Sequence, residues 1–477
     1  MKWRGRGRWV ASAMAVCGLA LLQVPASAAD EPSPYRFAKD AQRIDGAETP
    51  GDAPQLNPGP AYRSSIGPGR RLYYRVELDG ASSAYASAVA VPGAGSQVAY
   101  GDGITVMLQD QQGKSCGSVS DASFGSADYP TPLAASVGRL IEEGSRRCQE
   151  PGQYYVLIQR ESAQDSTRGD WDLELTFDEE PALASGGGRA PESMDPVAPP
   201  LPSGAAKRAA GGSGFNDARI LKKGVWEDTL RPGESLFYRV PVDWGQQLSA
   251  QAELGSAPNG AGGGVGLGVK ALNLTLHNPV RAPVTTAGTN YRGEPASAVL
   301  DAVAPVAYEN RLASKSEIKE MRFPGSYYLK VTLDPKLREK YGDKGLPVTL
   351  SVGVTGQPKT DVAYAEDPGI FQVFDGGENA PVGGGGAEGD SSGGGGSDAM
   401  KVVAASGIGT GTLLVLVLVL WTVLARRHAA SAAAKAAQAA QASAPAPAPA
   451  SSSSPVAGQE AADRGRASMT YGPPQAW

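Results

Sequence analysis

Residues that commonly carry enzyme chemistry are scarce in this chain. It has two histidines, and only His277 lies before residue 400, so a Ser-His-Asp triad in that part would have to use it. Neither Gly-x-Ser-x-Gly nor His-Glu-x-x-His occurs, and a histidine-rich metal centre is excluded. His277 ends a segment of alternating apolar residues, which is typical of a histidine in a turn. The many acidic residues leave one enzyme class open, a glycosidase that uses two carboxylates.

Two cysteines remain after the N-terminal leader described below, Cys116 and Cys148. Export would carry both to an oxidising compartment, where a disulfide between them would close a loop of about 30 residues. Such a crosslink is expected to stabilise the fold by roughly 3–4 kcal/mol. A redox pair more often has the spacing Cys-x-x-Cys, and a zinc site needs further ligands that the sequence does not offer. We therefore predict a structural disulfide.

Four aromatic side chains are the remaining candidates for ligand contact. Paired aromatics occur in four segments of alternating apolar residues, and one ring of each pair falls on the face opposite the core. An outward ring could stack on a sugar or a partner peptide, or it could pack across the sheet against its neighbour. The outward rings are those of Tyr73, Tyr155, Phe237 and Tyr328. The glycine-rich segment 262–268 lacks the Lys-Ser/Thr of a phosphate loop, so no cofactor is predicted.

Both ends of the chain carry targeting signals. Residues 1–29 combine a basic head, an apolar stretch and the small residues Ala26-Ser27-Ala28, which predicts a secretory signal peptide. Residues 402–425 contain no charged side chain over 24 positions, about 36 Å as a helix, which predicts one transmembrane span. Arg426 and Arg427 follow at once, so the positive-inside rule places the C-terminus in the cytoplasm. The sequence thus predicts a single-pass protein of the cell membrane with its N-terminal part outside.

The part predicted to be exported is acidic. Between residues 30 and 400 the sequence has 34 basic and 47 acidic residues, a formal charge of −13. This charge disfavours nucleic acid and anionic wall polymers as partners and leaves basic proteins open. Calcium also stays open, although no compact cluster of Asp and Glu marks a site. No other metal is predicted.

Stretches without periodic apolar residues divide the exported part into two blocks, 60–178 and 215–355. These stretches are an N-terminal extension at 30–59, a Pro/Ala/Gly-rich linker at 179–214 and a Gly-rich stalk at 356–401. The tail at 426–477 is rich in Ala, Gln, Pro and Ser, and we predict that it forms no packed domain.

The two blocks are copies of one another. Four segments of similar sequence, called anchors below, recur in the same order in both blocks. The distance in sequence between matching residues grows from 164 to 177, so the loops have lengthened while the strands have kept their register. Each anchor alternates in the period of a half-buried antiparallel strand, and only a short stretch around Ser314–Met321 looks helical. The anchors are Leu72–Val76 with Leu236–Val240, Ile104–Leu108 with Leu272–Leu276, Pro151–Tyr155 with Pro324–Tyr328, and Trp171–Phe177 with Val348–Val354. The sequence therefore predicts an all-β fold of two tandem antiparallel β-sandwiches.

The order of these anchors resembles a known bacterial module. The aromatic strand Leu72–Val76, a middle strand followed by Asp110 and Gly113, the Pro-Gly-x-Tyr-Tyr strand at 151–155 and a closing alternating strand are similar to the pre-peptidase C-terminal (PPC) domain. The resemblance covers about half the chain. It implies a small jelly-roll-like sandwich of the kind that this family appends to secreted hydrolases for targeting or adhesion, with calcium bound in some members. No hydrolase domain accompanies the two copies, so the resemblance implies an adhesive or interaction module.

Together these features predict a protein that binds and does not catalyse. Two extracellular sandwiches on a stalk and an anchor indicate an interaction module at the cell surface, an accessory subunit or adhesin with a protein partner. Two alternatives stay open. One is a surface hydrolase or carbohydrate-active protein, and the other is a subunit of a membrane complex assembled through the span and tail.

Overall fold

The computed structural model describes residues 34–373, except Ser126, Asp128, Glu143 and the segments 186–195 and 258–267. The predicted signal peptide, membrane span and cytoplasmic tail lie outside these residues. Within the described part, no helix is long and apolar enough to cross a membrane. Strands dominate there, as the alternating apolar pattern predicts.

The first sandwich is built from two sheets. Its strands are β1 (Gln42–Arg43), β2 (Ala61–Ile66), β3 (Arg71–Leu78), β4 (Ser83–Val91), β5 (Gly103–Gln109), β6 (Ser120–Ser123), β7 (Leu133–Arg139), β8 (Gly152–Glu161) and β9 (Trp171–Glu180). One sheet has the order β1-β2-β9-β4-β7 and the other has the order β3-β8-β5-β6. Apolar side chains on their facing sides, among them Tyr74, Val106 and Leu173, form a core between the sheets.

The second sandwich has the same construction. Its strands are β10 (Lys207–Arg208), β11 (Arg219–Ile220), β12 (Gly224–Leu230), β13 (Ser235–Val242), β14 (Gln247–Leu254), β15 (Gly268–His277), β16 (Pro283–Tyr291), β17 (Ala296–Val299), β18 (Gly325–Leu333) and β19 (Leu346–Thr355). The sheets have the orders β10-β12-β19-β14-β17 and β11-β13-β18-β15-β16. Two short helices, α1 (Ser316–Lys319) and α2 (Leu337–Tyr341), lie in its loops, and single 3-10 turns occupy 50–52, 215–217 and 308–312.

The two sandwiches share one topology. The order β12-β19-β14-β17 repeats β2-β9-β4-β7, and β13-β18-β15-β16 repeats β3-β8-β5-β6. The sequence repeat therefore corresponds to a repeated fold, and the predicted all-β class with two sandwich domains is confirmed.

Each repeat begins earlier than the predicted boundaries at residues 60 and 215. β1 pairs in parallel with β2, and β10 pairs in parallel with β12 in the same way. The short strands β1 and β10 each begin a segment that we call a strap, residues 42–56 in the first repeat and 207–221 in the second. The straps end in the two cores at Leu56 and Leu221, which are 1% and 0% exposed. The structure thus adds most of the predicted extension and the end of the predicted linker to the folded repeats. Strands of two residues are too short to show alternation, which is why the pattern did not reveal them.

Gly46 and Gly211 occupy matching places in the two straps. A methyl group at Gly46 would lie 2.7 Å from Cζ of Tyr74, and one at Gly211 would lie 2.8 Å from Cζ of Tyr238. Both distances are well below van der Waals contact, so each glycine lets its strap lie directly against a core tyrosine.

We expect Gly46→Ala and Gly211→Ala each to lower the free energy of unfolding by about 1–3 kcal/mol, because the added methyl group must displace a packed ring. Gly51→Ala is the matched control, since no atom lies within 4 Å of a methyl group built at Gly51. Urea unfolding of the three variants checks the prediction. Equal effects at Gly46 and Gly51 would contradict it.

Candidate functional site

The two sandwiches pack on each other through their outward faces. A cluster of buried side chains joins Val89 of β4 and Ala134 of β7 in the first sandwich to Phe237 of β13 and Tyr328 of β18 in the second. Hydrogen bonds extend the contact, for example from Ser87 Oγ to the carbonyl oxygen of Val280 at 2.6 Å. All nine residues of β4 are uncharged and eight are buried, since its two faces lie against the core and against the second sandwich.

The contact between the sandwiches determines which of the four rings predicted to contact a ligand are accessible to solvent. Phe237 and Tyr328 are 0% and 6% exposed, because the first sandwich covers the face on which they stand. They are therefore not accessible to a ligand from solvent. The matching rings of the first sandwich, Tyr73 and Tyr155, are half-buried. For these two rings, ligand contact stays a prediction.

A buried ion pair lies at the centre of this contact. The guanidinium of Arg281, in the turn between β15 and β16, donates to Oε1 of Glu174 on β9, and Glu174 is 0% exposed. Glu174 also accepts hydrogen bonds from the backbone nitrogen of Ala38 at 2.9 Å and from Asn216 Nδ2 at 2.8 Å. The carboxylate raises the pKa of Arg281 against the opposing effect of burial, so the guanidinium stays charged.

A second buried carboxylate, that of Glu180, also joins the two sandwiches. Glu180 of β9 accepts from Arg311 at 2.7 Å and from the hydroxyls of Tyr85 and Tyr364, each at 2.8 Å. Burial and the charge of Glu180 raise the pKa of Tyr364, which therefore stays protonated and donates.

Glu174 and Glu180 have a role that the sequence analysis did not assign. They are six residues apart on β9 and therefore stand on the same face of the strand, opposite the apolar residues that fill the core. From the sequence, acidic residues are expected only to contribute to the net charge or to serve as the two carboxylates of a glycosidase. In the structure each of these carboxylates binds an arginine of the other sandwich.

The segment after β19 also belongs to this contact. Its composition predicts the start of the Gly-rich stalk, but Tyr364 forms an antiparallel bridge with Leu183. Phe371 is 1% exposed and lies 5.0 Å from Phe323 and 5.8 Å from Tyr85, measured between ring centres. Residues 356–373 are therefore part of the folded unit, and the predicted stalk is confined to residues outside the described part.

His277 lies at the end of β15, as predicted, but inside the contact between the sandwiches. It is 2% exposed and its Nδ1 has no hydrogen-bond partner in the described structure. Burial, together with the positive charges of Lys330 and Arg281, holds the pKa of His277 well below 6.5, so the imidazole is neutral. A neutral, enclosed ring suits packing and does not suit general acid catalysis.

This burial predicts a pH dependence of stability. The unfolded chain takes up a proton at His277 near pH 6.5, whereas the folded chain does not, so the stabilisation is complete above that pH and is lost as the pH falls below it. Between pH 7 and 5.5 the difference is about 1 kcal/mol. His277→Gln should lack this part of the pH dependence, and Gln109 shows that the repeat accepts glutamine at the matching position. Urea unfolding of the unsubstituted protein and of His277→Gln at pH 7 and 5.5 measures the change in unfolding free energy with pH. The same change in both proteins would contradict the prediction.

The candidate binding site is a groove of about 1040 Å³ where the two sandwiches meet. The first sandwich contributes Lys114, residues 116–121, part of β7 and part of the segment that follows β7. The second contributes Ala282, Pro283, Ser314, Ser316, Lys319, Glu320 and Arg322. β6, β7 and β16, which all reach the groove, are each the last strand of their sheet. The groove therefore has strand edges in its walls.

The predicted disulfide lies beside this groove and is confirmed. Cys116 and Cys148 are bonded, with their Cα atoms 5.3 Å apart. The crosslink ties the loop at 114–119 to the loop at 144–149, and both loops line the groove.

Basic side chains outnumber acidic ones among the described residues that line the groove. Lys114, Arg146 and Arg147 are exposed, Lys319 is half-buried, and none of the four forms an ion pair within the described residues. Arg322 is 6% exposed and pairs with Glu320 at 3.1 Å, while its Nε has no partner there. Among the described residues, the acidic side chains of the groove are those of Asp121, Glu142 and Glu320. Among the described residues, no group of His, Cys, Asp and Glu side chains is arranged to hold a metal ion.

No family model and no curated protein matches the chain. Among solved structures, it is similar to tripeptidyl peptidase 2, with 10% identity over 64% of this chain, 24% of that chain and a TM-score of 0.18. It is also similar to the CBM22 tandem domain of a Paenibacillus barcinonensis protein, with 14% identity over 59% of this chain, 82% of that chain and a TM-score of 0.17. The CUB1-EGF-CUB2 domain of human MASP-1/3 has 8% identity over 61% of this chain, 99% of that chain and a TM-score of 0.13.

The match spans about a quarter of the tripeptidyl peptidase 2 chain. TM-scores this low carry no argument about function, and the sandwich architecture rests on the strand pairing of this chain alone.

Proposed function

We propose that this chain is a single-pass bacterial cell-surface protein whose two sandwiches act as one non-catalytic binding module, an adhesin or an accessory subunit. The predicted signal peptide and span support the location, and the PPC-like order of the strands supports the adhesive role. The absence of a second histidine before residue 400 supports the proposal that the module does not catalyse.

The observation that carries this proposal is the groove. Its walls come from both sandwiches, so it exists only while the sandwiches are docked. The docking is held by two buried ion pairs and by apolar contacts, which together fix the relative position of the two walls. Binding sites are usually concave and largely formed before the ligand arrives.

Photo-crosslinking in the bacterium that encodes the protein tests this function. A photoreactive amino acid replaces Val119, which lines the groove and is 42% exposed. The same amino acid at Tyr100, 72% exposed and outside the groove, is the control. We expect a crosslinked product of defined mass from position 119 that is absent from position 100.

Two results would contradict the proposal. The same products from both positions would show that the groove binds nothing in particular. Hydrolysis of a peptide or a glycan by the purified full-length protein, lost on substitution of one carboxylate, would favour the surface hydrolase.

A further inference from the structure

The groove differs in charge from the rest of the exported part. Residues 30–400 have a formal charge of −13. In the groove, however, Lys114, Arg146, Arg147 and Lys319 have no acidic partner among the described residues. Four cations within one concave surface raise the local concentration of anionic ligands.

The acidic side chains of the groove cancel only part of this charge. The described lining residues include five basic side chains (Lys114, Arg146, Arg147, Lys319 and Arg322) and three acidic ones (Asp121, Glu142 and Glu320), so five minus three leaves a formal charge of +2. Glu320 is already bound by Arg322 and by Asn278 at 2.8 Å. Arg322 is 6% exposed and is already paired with Glu320 at 3.1 Å, so the cations that remain open to a ligand are the exposed or half-buried ones.

The walls of the groove favour a polypeptide as the ligand. β6, β7 and β16 are terminal strands, and a terminal strand offers backbone groups to an extended chain. No aromatic side chain is among the described residues that line the groove, whereas a sugar ligand usually stacks on one. Serine hydroxyls at 118, 120, 136, 314 and 316 add further hydrogen-bonding groups.

On the basis of the binding function proposed above, we propose that the groove binds an extended acidic segment, rich in Asp and Glu, of a partner polypeptide. Arg146 and Arg147 bind carboxylates from one wall, and Lys319 binds them from the other. The disulfide between Cys116 and Cys148 holds Lys114 beside the two arginines, so the three cations act together.

Binding of labelled octaglutamate to the full-length protein in detergent, followed by fluorescence anisotropy at low salt, tests this ligand class. The test variant is R146E/R147E. The control is K222E/K223E, which makes the same change of charge at two adjacent exposed lysines outside the groove. We expect octaglutamate to bind, R146E/R147E to weaken binding by roughly tenfold or more, and K222E/K223E to change it less than about twofold.

Three results would overturn the inference. The first is that octaglutamate does not bind. The second is that both double variants weaken octaglutamate binding equally, which would indicate attraction by overall charge. The third is that polygalacturonate binds in a way that depends on Arg146 and Arg147 while octaglutamate does not, which would indicate an acidic polysaccharide as the ligand. A defined photo-crosslink at position 119 together with any of these results would preserve the binding function and refute only the acidic polypeptide.

Discussion

Arg281→Met is expected to lower the free energy of unfolding by about 3–5 kcal/mol, because it leaves a buried carboxylate without its cation. Glu174 is 0% exposed, and its remaining hydrogen bonds, from Ala38 and Asn216 among others, do not neutralise its charge. Urea unfolding of the full-length protein in detergent measures the change. The double variant E174Q/R281M should recover part of the loss, since it removes both charges.

The neighbouring surface pair provides the control. Arg63 and Asp172, also on β9, are 2.9 Å apart, but their side chains are 42% and 46% exposed. Arg63→Met should therefore cost less than about 1 kcal/mol. If Arg281→Met and Arg63→Met lower the free energy of unfolding by the same small amount, the ion pair of Glu174 and Arg281 does not hold the sandwiches together.

Phe237→Ala is expected to cost about 3–5 kcal/mol of unfolding free energy, because it opens a cavity between the sandwiches. The ring of Phe237 is 0% exposed and its centre lies 4.9 Å from that of Phe215 and 6.0 Å from that of Tyr35. Tyr73 occupies the matching place in the first repeat, where no second sandwich covers it. Tyr73→Ala should therefore cost much less.

The comparison of these two variants also separates packing from ligand contact. Thermal or urea unfolding without any ligand reports the packing role. An equal loss for Phe237→Ala and Tyr73→Ala would contradict the structure, since it would mean that the outward faces of both repeats are equally covered.

Most of the fold follows from the sequence because alternation and repetition are strong signals. Leu72, Tyr74 and Val76 fall on one face in the sequence and in the structure, and the matching residues of the second repeat do the same. The straps are harder to recognise in the sequence, because they lack alternating apolar residues. They match in spacing: Gly46 and Gly211 are 165 residues apart, and so are Leu56 and Leu221. A search for the repeat upstream of the first strand would have found them.

The contact between the sandwiches was harder to predict because its residues look like surface residues. Glu174 and Glu180 alternate with core residues on β9, which in a single sandwich means exposure to solvent. One signal was present in β4, where Ser83 to Val91 has no charged residue on either face. A strand that is apolar on both faces indicates that both faces are covered. The groove could not be predicted, because residues 114–121 and 314–322 meet only when the sandwiches dock.

Differential scanning calorimetry of the full-length protein tests most directly whether the two sandwiches form one body. The structure predicts a single transition for residues 34–373, with equal calorimetric and van't Hoff enthalpies, that Arg281→Met shifts to a lower temperature as a whole. Two separate transitions in the unsubstituted protein, neither of them moved by Arg281→Met, would show that the sandwiches are independent and would remove the groove on which the proposed binding function depends.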